Sequence, residues 1–375
     1  MAGLRNGVSG LRRCRFPGVP FSTFVGEVTG LDDIAIALDE GFDCRSNRLA
    51  ALAFAQDDFR DGIAAALTKY RSERIGLFLG TTTSGILATE IAYRQRNLAT
   101  GTLPPEFDYS KTQNTFSLAE FARRELGLRG PAVVLSSACA TTGKVFSSAA
   151  RMIAAGFCDA AIVGGADTLC ATTLCGFHAL GLVAEEPCRP FDAARSGISI
   201  GEGAGFLLLE RQDRVASDEE VVLLGVGESS DAYHMSTPHP EGLGAQLSIS
   251  RALRAARLRP EDIDYINLHG TATSVGDAAE DQAIAGLFGR RTPCSSTKGF
   301  TGHTLGAAGI VEAIICFLAL RHGVIPGSPH TKTVDPAFGC NYVRENRWGP
   351  IARVMSNSFG FGGANCSIIL GRPRS

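Results

Sequence analysis

The sequence predicts an α/β protein assembled from two rounds of one plan. Three observations carry that reading. Apolar, strand-length runs alternate with helical patterns along the chain, the signature of a parallel or mixed sheet covered on both faces. A polar stretch, Arg211–Glu220, interrupts the alternation, and the pattern then begins again. In each round a chemically distinctive residue, Cys139 or His269, follows a predicted strand. The expected division is residues 1–215, carrying the cysteine, and 216–375, carrying the histidines.

In the first round Ile75–Leu79 reads as a strand, followed by Thr81-Thr82-Thr83-Ser84-Gly85 and a helix to about Arg94. Residues 116–126 read as a helix, Ala132–Leu135 as a strand, and 140–155 as a helix with small and apolar residues on one face. Ala160–Val163 is a strand running into Gly164-Gly165-Ala166-Asp167, and Gly205–Leu209 is a buried strand. In the second round Val221–Val226 is a strand and 244–257 a helix. Ile263–Leu268 is a strand, 277–287 a helix, and 306–321 a long apolar helix. Ile351–Met355 and Ser367–Leu370 are strands joined by a glycine-rich loop at 357–365. Open α/β sheets place ligands at the carboxyl ends of their strands, so Cys139 and His269 are expected to converge.

Composition narrows the function. The chain is 45% hydrophobic over 375 residues, enough for a sizeable core. A net charge of −2 gives no support for nucleic-acid or membrane-surface binding. No run reaches the roughly 18 apolar residues of a membrane span; the longest, Ile310–Leu320, is broken by Glu312. The basic N-terminus has no apolar segment after it, so a signal peptide is not expected. The eleven cysteines contain no C-x-x-C pair, so local metal-ligand spacing is absent. Most should be buried thiols in a reducing cytoplasm. Gly143-Lys144 lacks the rest of a phosphate loop, and Gly201–Gly205 lacks dinucleotide spacing.

Four segments carry chemistry. Cys139 ends the run Val133-Val134-Leu135-Ser136-Ser137-Ala138 and precedes a helical pattern. That layout puts a thiol on a strand-to-helix turn, where a helix N-terminus favours the nucleophilic thiolate. The second segment is Asn267-Leu268-His269-Gly270-Thr271-Ala272-Thr273, ending in Gly276-Asp277. The third is Ser295-Ser296-Thr297-Lys298, with His303 five residues later and Glu312 beyond. The fourth is the loop around Phe361. A lone histidine is more often structural than functional, but two at loop-like strand ends beside a nucleophilic cysteine are placed for catalysis.

On these motifs, in this order, the chain resembles the β-ketoacyl-acyl carrier protein synthases, the elongating condensing enzymes of fatty-acid and polyketide synthesis. The resemblance runs from about Arg5 to Arg372. It implies the duplicated, five-layered thiolase-like fold (α-β-α-β-α). It implies that Cys139 holds the acyl chain as a thioester, with the N–H groups of Cys139 and Phe361 as its oxyanion hole. His269 and His303 would face malonyl-acyl carrier protein and stabilise the enolate left by decarboxylation. Lys298 and Glu312 would support the histidines as a buried ion pair. Thr271 and Thr273 would bond the carrier's 4'-phosphopantetheine arm, and Phe361 would gate the acyl pocket. No permanently bound cofactor is expected. The partners would be an acyl carrier protein and a second subunit, in a homodimer or a heterodimer, in the cytoplasm. Arg45 and Arg48 are candidates for docking the acidic carrier. The Thr-Thr-Gly-Lys sequence after Cys139 points toward a specialised pathway such as polyene or other polyketide synthesis.

In one respect the chain departs from the family. An apolar strand ending in Thr-Gly normally precedes the segment resembling Arg5–Phe16, and it is not present here. It is expected in the middle of the first sheet, so either the start is internal or residues 21–28 rearrange to fill the gap. Two rivals remain. A thiolase would carry a second cysteine late in the chain, where this one has Phe361. A non-catalytic partner subunit of a heterodimeric synthase would lack the nucleophile, and Cys139 is present.

Overall fold

The structure, a computed structural model, describes residues 1–36, 40–211 and 220–373. Most of the polar interruption at 211–220 therefore lies outside the described residues. The first half forms a four-stranded sheet from β1 (Ile75–Gly80), β2 (Ala132–Leu135), β3 (Ala160–Asp167) and β4 (Gly203–Glu210), in the order β2-β1-β3-β4. β1 runs parallel to β2 and β3, and β4 is antiparallel to β3. The second half forms a six-stranded sheet from β5 (Val222–Ser230), β6 (Tyr265–Asn267), β7 (Pro293–Ser295), β8 (Asn341–Tyr342), β9 (Arg353–Gly360) and β10 (Ala364–Gly371), in the order β8-β7-β6-β9-β10-β5. Within it, β7-β6-β9-β10 repeats β2-β1-β3-β4 in order and direction. The fold is the duplicated, thiolase-like α/β architecture.

Five layers follow from where the apolar faces go. Helices α1 (Arg45–Phe54), α2 (Phe59–Lys69) and α3 (Ser117–Leu126) cover the outer face of the first sheet, packing Phe54, Ile63 and Phe121 against Leu77, Ile162 and Phe206. Helices α4 (Thr141–Ala154) and α7 (Ala308–His322) lie between the sheets, where Val145, Phe146 and Ile310 meet Phe78, Val163 and Ile368. Helices α5 (Leu243–Ala256) and α6 (Ser274–Phe288) cover the second sheet with Ile249, Leu253, Ile284 and Phe288 over Ile266 and Met355. α7 is apolar on every side because both of its faces are buried. Residues 305–322 are long and apolar enough to cross a membrane, which exceeds the sequence reading, but 67% of the segment is buried inside the protein. α4 and α7 touch at glycines. A Cβ on Gly309 would stand 2.5 Å from the Gly143 nitrogen, so the two backbones meet directly.

Three expectations change. The presumed loop 357–365 is mostly strand: β9 and β10 continue through it, leaving Phe361–Gly363 as the only break. Alternating apolar residues there were masked by Gly, Ser and Asn. Residues 24–26 pair with 11–13 and 200–201 rather than entering the first sheet, so they do not fill a gap there. The unmatched strand is β5, which flanks β10 at an edge, so the corresponding position is the edge beside β4 and not the sheet's middle.

Candidate active site

Cys139 sits on a strained turn. Ala138 adopts φ +46°, uncommon for a residue with a side chain. Local hydrogen bonds hold it: Thr141 Oγ1 donates to the Ala138 carbonyl at 2.6 Å and accepts the Ser137 N–H at 2.7 Å. The chain then enters α4, whose first turn is tied across the molecule. Thr142 Oγ1 donates to the Gly306 carbonyl at 2.6 Å and accepts the Ile310 N–H at 2.9 Å. The nucleophile's helix and the turn after His303 are thus one unit. Asp167, fully buried at the end of β3, adds to it by accepting from the Thr82 and Thr83 N–H groups and from the Gly306 N–H.

The Cys139 sulfur lies 3.0 Å from His303 Nε2 and accepts the Phe361 N–H. Burial pushes its thiol up to about 11, against the smaller opposing effects of the Lys298 charge and the Phe361 N–H. The expectation of an activated thiolate at rest is therefore corrected. The sequence shows the helix N-terminus but not the burial of the thiol, and desolvation disfavours the charged form. Gly360 keeps the space before the nucleophile open, since a Cβ there would approach the Cys139 and Ala140 nitrogens to 3.0 and 3.1 Å.

His269 is held by its backbone and its ring. Glu280 accepts the N–H groups of His269 and Gly270 at 2.8 and 2.7 Å. Lys298 Nζ lies 3.3 Å from His269 Nδ1, donates to the His269 carbonyl at 2.5 Å, and pairs with Glu312. An ammonium has donors and no acceptor, so Nδ1 must accept. The network thereby assigns the His269 proton to Nε2. Burial, reinforced by the Lys298 charge, holds both histidines well below the usual imidazole range, so both are neutral. Their rings stand 5.3 Å apart at 84°.

These groups line one cavity of about 370 Å³, with Cys139, His269 and His303 beside Thr271, Thr273 and Phe361. The Thr271 and Thr273 hydroxyls are 3.0 Å apart. The Phe361 ring lies 5.9 Å from Phe177. The neighbouring Gly362 N–H donates to the Met235 carbonyl at 2.7 Å.

Comparison with known proteins agrees with this geometry. Residues 49–214 match the family model for the β-ketoacyl synthase N-terminal domain, and residues 221–332 match that for its C-terminal domain. The chain belongs to the β-ketoacyl synthase family. A 3-oxoacyl-[acyl-carrier-protein] synthase 2 from Vibrio cholerae is 34% identical over 366 residues, covering 89% of this chain and 87% of that protein. A mitochondrial 3-oxoacyl-[acyl-carrier-protein] synthase from Arabidopsis thaliana is 40% identical over 261 residues, but the match spans only 65% of this chain and 57% of the relative. A chain of the solved complex of a ketosynthase with its chain length factor from Xenorhabdus doucetiae superposes with a TM-score of 0.89 at 38% identity. It covers 99% of this chain and 92% of that one.

As a β-ketoacyl synthase, the chain gathers every residue singled out for catalysis or arm binding: Cys139, His269, His303, Lys298 and Phe361, with Thr271 and Thr273 at the wall. Arg45 and Arg48 fall outside this group. Arg45 is largely buried against Glu202 at 2.6 Å, and Arg48 is paired with Asp43. Arg45's charge is matched inside the protein, while the Arg48–Asp43 pair stays partly exposed. Sequence reasoning passed over Glu280 and Asp231. Glu280 lies eleven residues after His269, so α6 turns it back under the histidine loop. Asp231 accepts from Asn365 at 2.7 Å, bracing the far end of the Phe361 loop. Buried carboxylates that follow a glycine-rich turn on a helix were the available signal for Glu280.

Proposed function

We propose that this chain performs a decarboxylative Claisen condensation. Cys139 takes an acyl group from one carrier thioester, and the released pantetheine thiol leaves with a proton. Malonyl-acyl carrier protein then enters, its arm running along Thr271 and Thr273. Loss of CO₂ leaves charge on the thioester oxygen, which His269 Nε2–H and the His303 ring meet as donors. Fixed donors of this kind contribute about 3–4 kcal/mol each. The enolate carbon attacks the acyl-Cys139 carbonyl, and its developing oxyanion lies toward the N–H groups of Cys139 and Phe361. Collapse expels the Cys139 sulfur, which takes a proton from solvent, and releases a 3-oxoacyl product longer by two carbons. Apart from that proton, every step uses groups of the chain and thioester substrates.

The carrying observation is the 3.0 Å contact of Cys139 Sγ with His303 Nε2, with a neutral His269 standing at 84° to that ring. It favours condensation over a thiolase reading, because two imidazoles replace the second cysteine. It also opposes a non-catalytic subunit, because the nucleophile is present and partnered. The named relatives favour an acyl carrier protein as donor and a related subunit as companion. β2, half-buried along its length at the sheet edge, offers an edge for such a subunit, identical or related. We place the enzyme in the cytoplasm, in fatty-acid or specialised polyketide synthesis. Purified protein should convert acyl- and malonyl-carrier protein to a 3-oxoacyl-carrier protein, seen by intact-mass spectrometry. Acyl groups of graded length and unsaturation would define the substrate. Condensation by the Cys139→Ala variant would overturn the mechanism.

A further inference from the structure

Cys139, His269 and His303 also form a ligand set. One nitrogen of each imidazole and the Cys139 sulfur all lie within 4.8 Å of one another, and all three residues are buried. The residues come from three separate loops, so no C-x-x-C spacing could reveal them. One thiolate and two neutral imidazoles make the donor set of zinc sites that keep a fourth position open. Zn–S near 2.3 Å and Zn–N near 2.0–2.1 Å imply donor separations of roughly 3.5 Å in a tetrahedron. Sulfur and His303 Nε2 lie 3.0 Å apart and all three donor atoms lie within 4.8 Å of one another, the scale of such a site.

The surroundings allow a cation. His269 faces Lys298 through Nδ1, so Nε2 is the nitrogen open to a metal, and binding there displaces the proton it carries. The nearest positive charge, Lys298, is matched by Glu312 in direct contact, and the Glu280 carboxyl lies under the His269 loop. The cavity of about 370 Å³ reaches all three residues and leaves room for water as a fourth ligand. Two features limit affinity. Metal-bound histidines usually donate their second N–H to an acceptor. Here His269 Nδ1 faces an ammonium and His303 Nδ1 has no partner. The site therefore suits exchangeable binding rather than a permanent structural ion.

We propose that Cys139, His269 and His303 bind Zn²⁺ or a similar borderline divalent cation, and that the bound ion reversibly blocks acylation of Cys139. A sulfur–metal bond replaces the thiol S–H bond and its proton leaves to solvent; the His269 proton moves from Nε2 to Nδ1, and Lys298, now its acceptor, gives up one proton of its own to solvent. The blocking half rests on the acyl-cysteine reading above; the binding half stands without it. Reduced, metal-free full-length protein would be titrated with Co²⁺, then with Zn²⁺ against a chromophoric chelator, while Cys139 labelling by iodoacetamide is followed by peptide mass spectrometry. One equivalent of Co²⁺ should give a thiolate-to-cobalt charge-transfer band. Zn²⁺ should slow Cys139 labelling at least about tenfold, and a chelator should restore it. Cys139→Ala, His269→Ala and His303→Ala should each weaken binding at least about tenfold, while Cys175→Ser, at a half-buried thiol outside the cavity, should not. Unslowed labelling of wild-type Cys139 at saturating Zn²⁺ overturns the proposal without relying on any variant's folding. A cobalt band that persists in Cys139→Ala overturns it equally. If Zn²⁺ protects Cys139 but the metal-free enzyme makes no 3-oxoacyl product, the site stands and the condensation reading fails.

Discussion

Lys298 and Glu312 form the most deeply buried ion pair described, 1% and 3% exposed. Replacing Lys298 by Met removes the cation and keeps most of the volume. Glu312 would lose its partner while its second oxygen, Oε2, already has none. Breaking a buried pair from one side costs about 3–5 kcal/mol, because the remaining charge is uncompensated. The cost should depend on pH. Burial already pushes the Glu312 carboxyl up to about 7 with Lys298 present, and removing Lys298 raises it further. A carboxyl raised in the folded state binds a proton the unfolded chain has lost. The folded variant is then least penalised at low pH and loses stability as pH rises through that window.

Urea unfolding of Lys298→Met, followed by circular dichroism, should therefore show the full loss at pH 8.5 and a clearly smaller one at pH 6. A double variant, Lys298→Met with Glu312→Leu, should recover most of the stability, since an apolar pair of similar volume leaves no buried charge. Catalysis should not recover with it. Without Lys298, nothing fixes the His269 proton on Nε2, and decarboxylation should fall by about 10²–10³, the effect of losing one oxyanion donor. A single variant within about 1 kcal/mol of wild type at pH 8.5, or a double variant no more stable than the single one, would refute this electrostatic reasoning.

Three further outcomes are expected. Cys139→Ala should abolish condensation yet retain CO₂ release from malonyl-carrier protein, because the histidines and Lys298 are untouched; loss of both would show that the two half-reactions share Cys139. Gly309→Ala should destabilise by about 1–3 kcal/mol or more, since its Cβ would lie 2.5 Å from the Gly143 nitrogen; an unchanged thermal midpoint would contradict the backbone contact of α4 and α7. Burial pushes Glu280 up to about 8 despite its two backbone donors, so stability should fall with rising pH between about 4.5 and 8, at up to about 1.4 kcal/mol per unit. A Glu280→Gln variant that leaves that slope intact would exclude Glu280 as its source.

The sequence exposed what local pattern controls. β1, β2 and α4 fall within a residue or so of their expected bounds because each is a short apolar run ended by Gly, Ser or Thr. The chemical residues were legible for a related reason, since Cys139 and His269 follow strand ends, and they and His303 stand beside small residues. The rest depends on tertiary contact. The strand character of 357–360 comes from pairing with β10, which polar Asn357 and Ser358 do not announce. The consumption of Arg45 by Glu202 joins positions 157 apart. The burial of Cys139, His269 and His303, which shifts their titration, belongs to no segment.

That burial changes how Cys139 should be understood. A thiolate–imidazolium pair at rest would place two charges beside the buried Lys298–Glu312 pair. Burial raises the Cys139 thiol and depresses both histidines, so the neutral thiol and neutral imidazole win. The helix N-terminus, the Phe361 N–H and His303 Nε2 are nevertheless all aimed at the sulfur or at the space before it. Their contribution grows when a thioester carbonyl occupies that space, because negative charge then develops on an oxygen with donors already fixed in place. On the proposed mechanism Cys139 is activated by its substrate's arrival. The same burial that keeps the sulfur protonated keeps His269 and His303 neutral, the state in which the proposed enolate stabilisation uses them as donors.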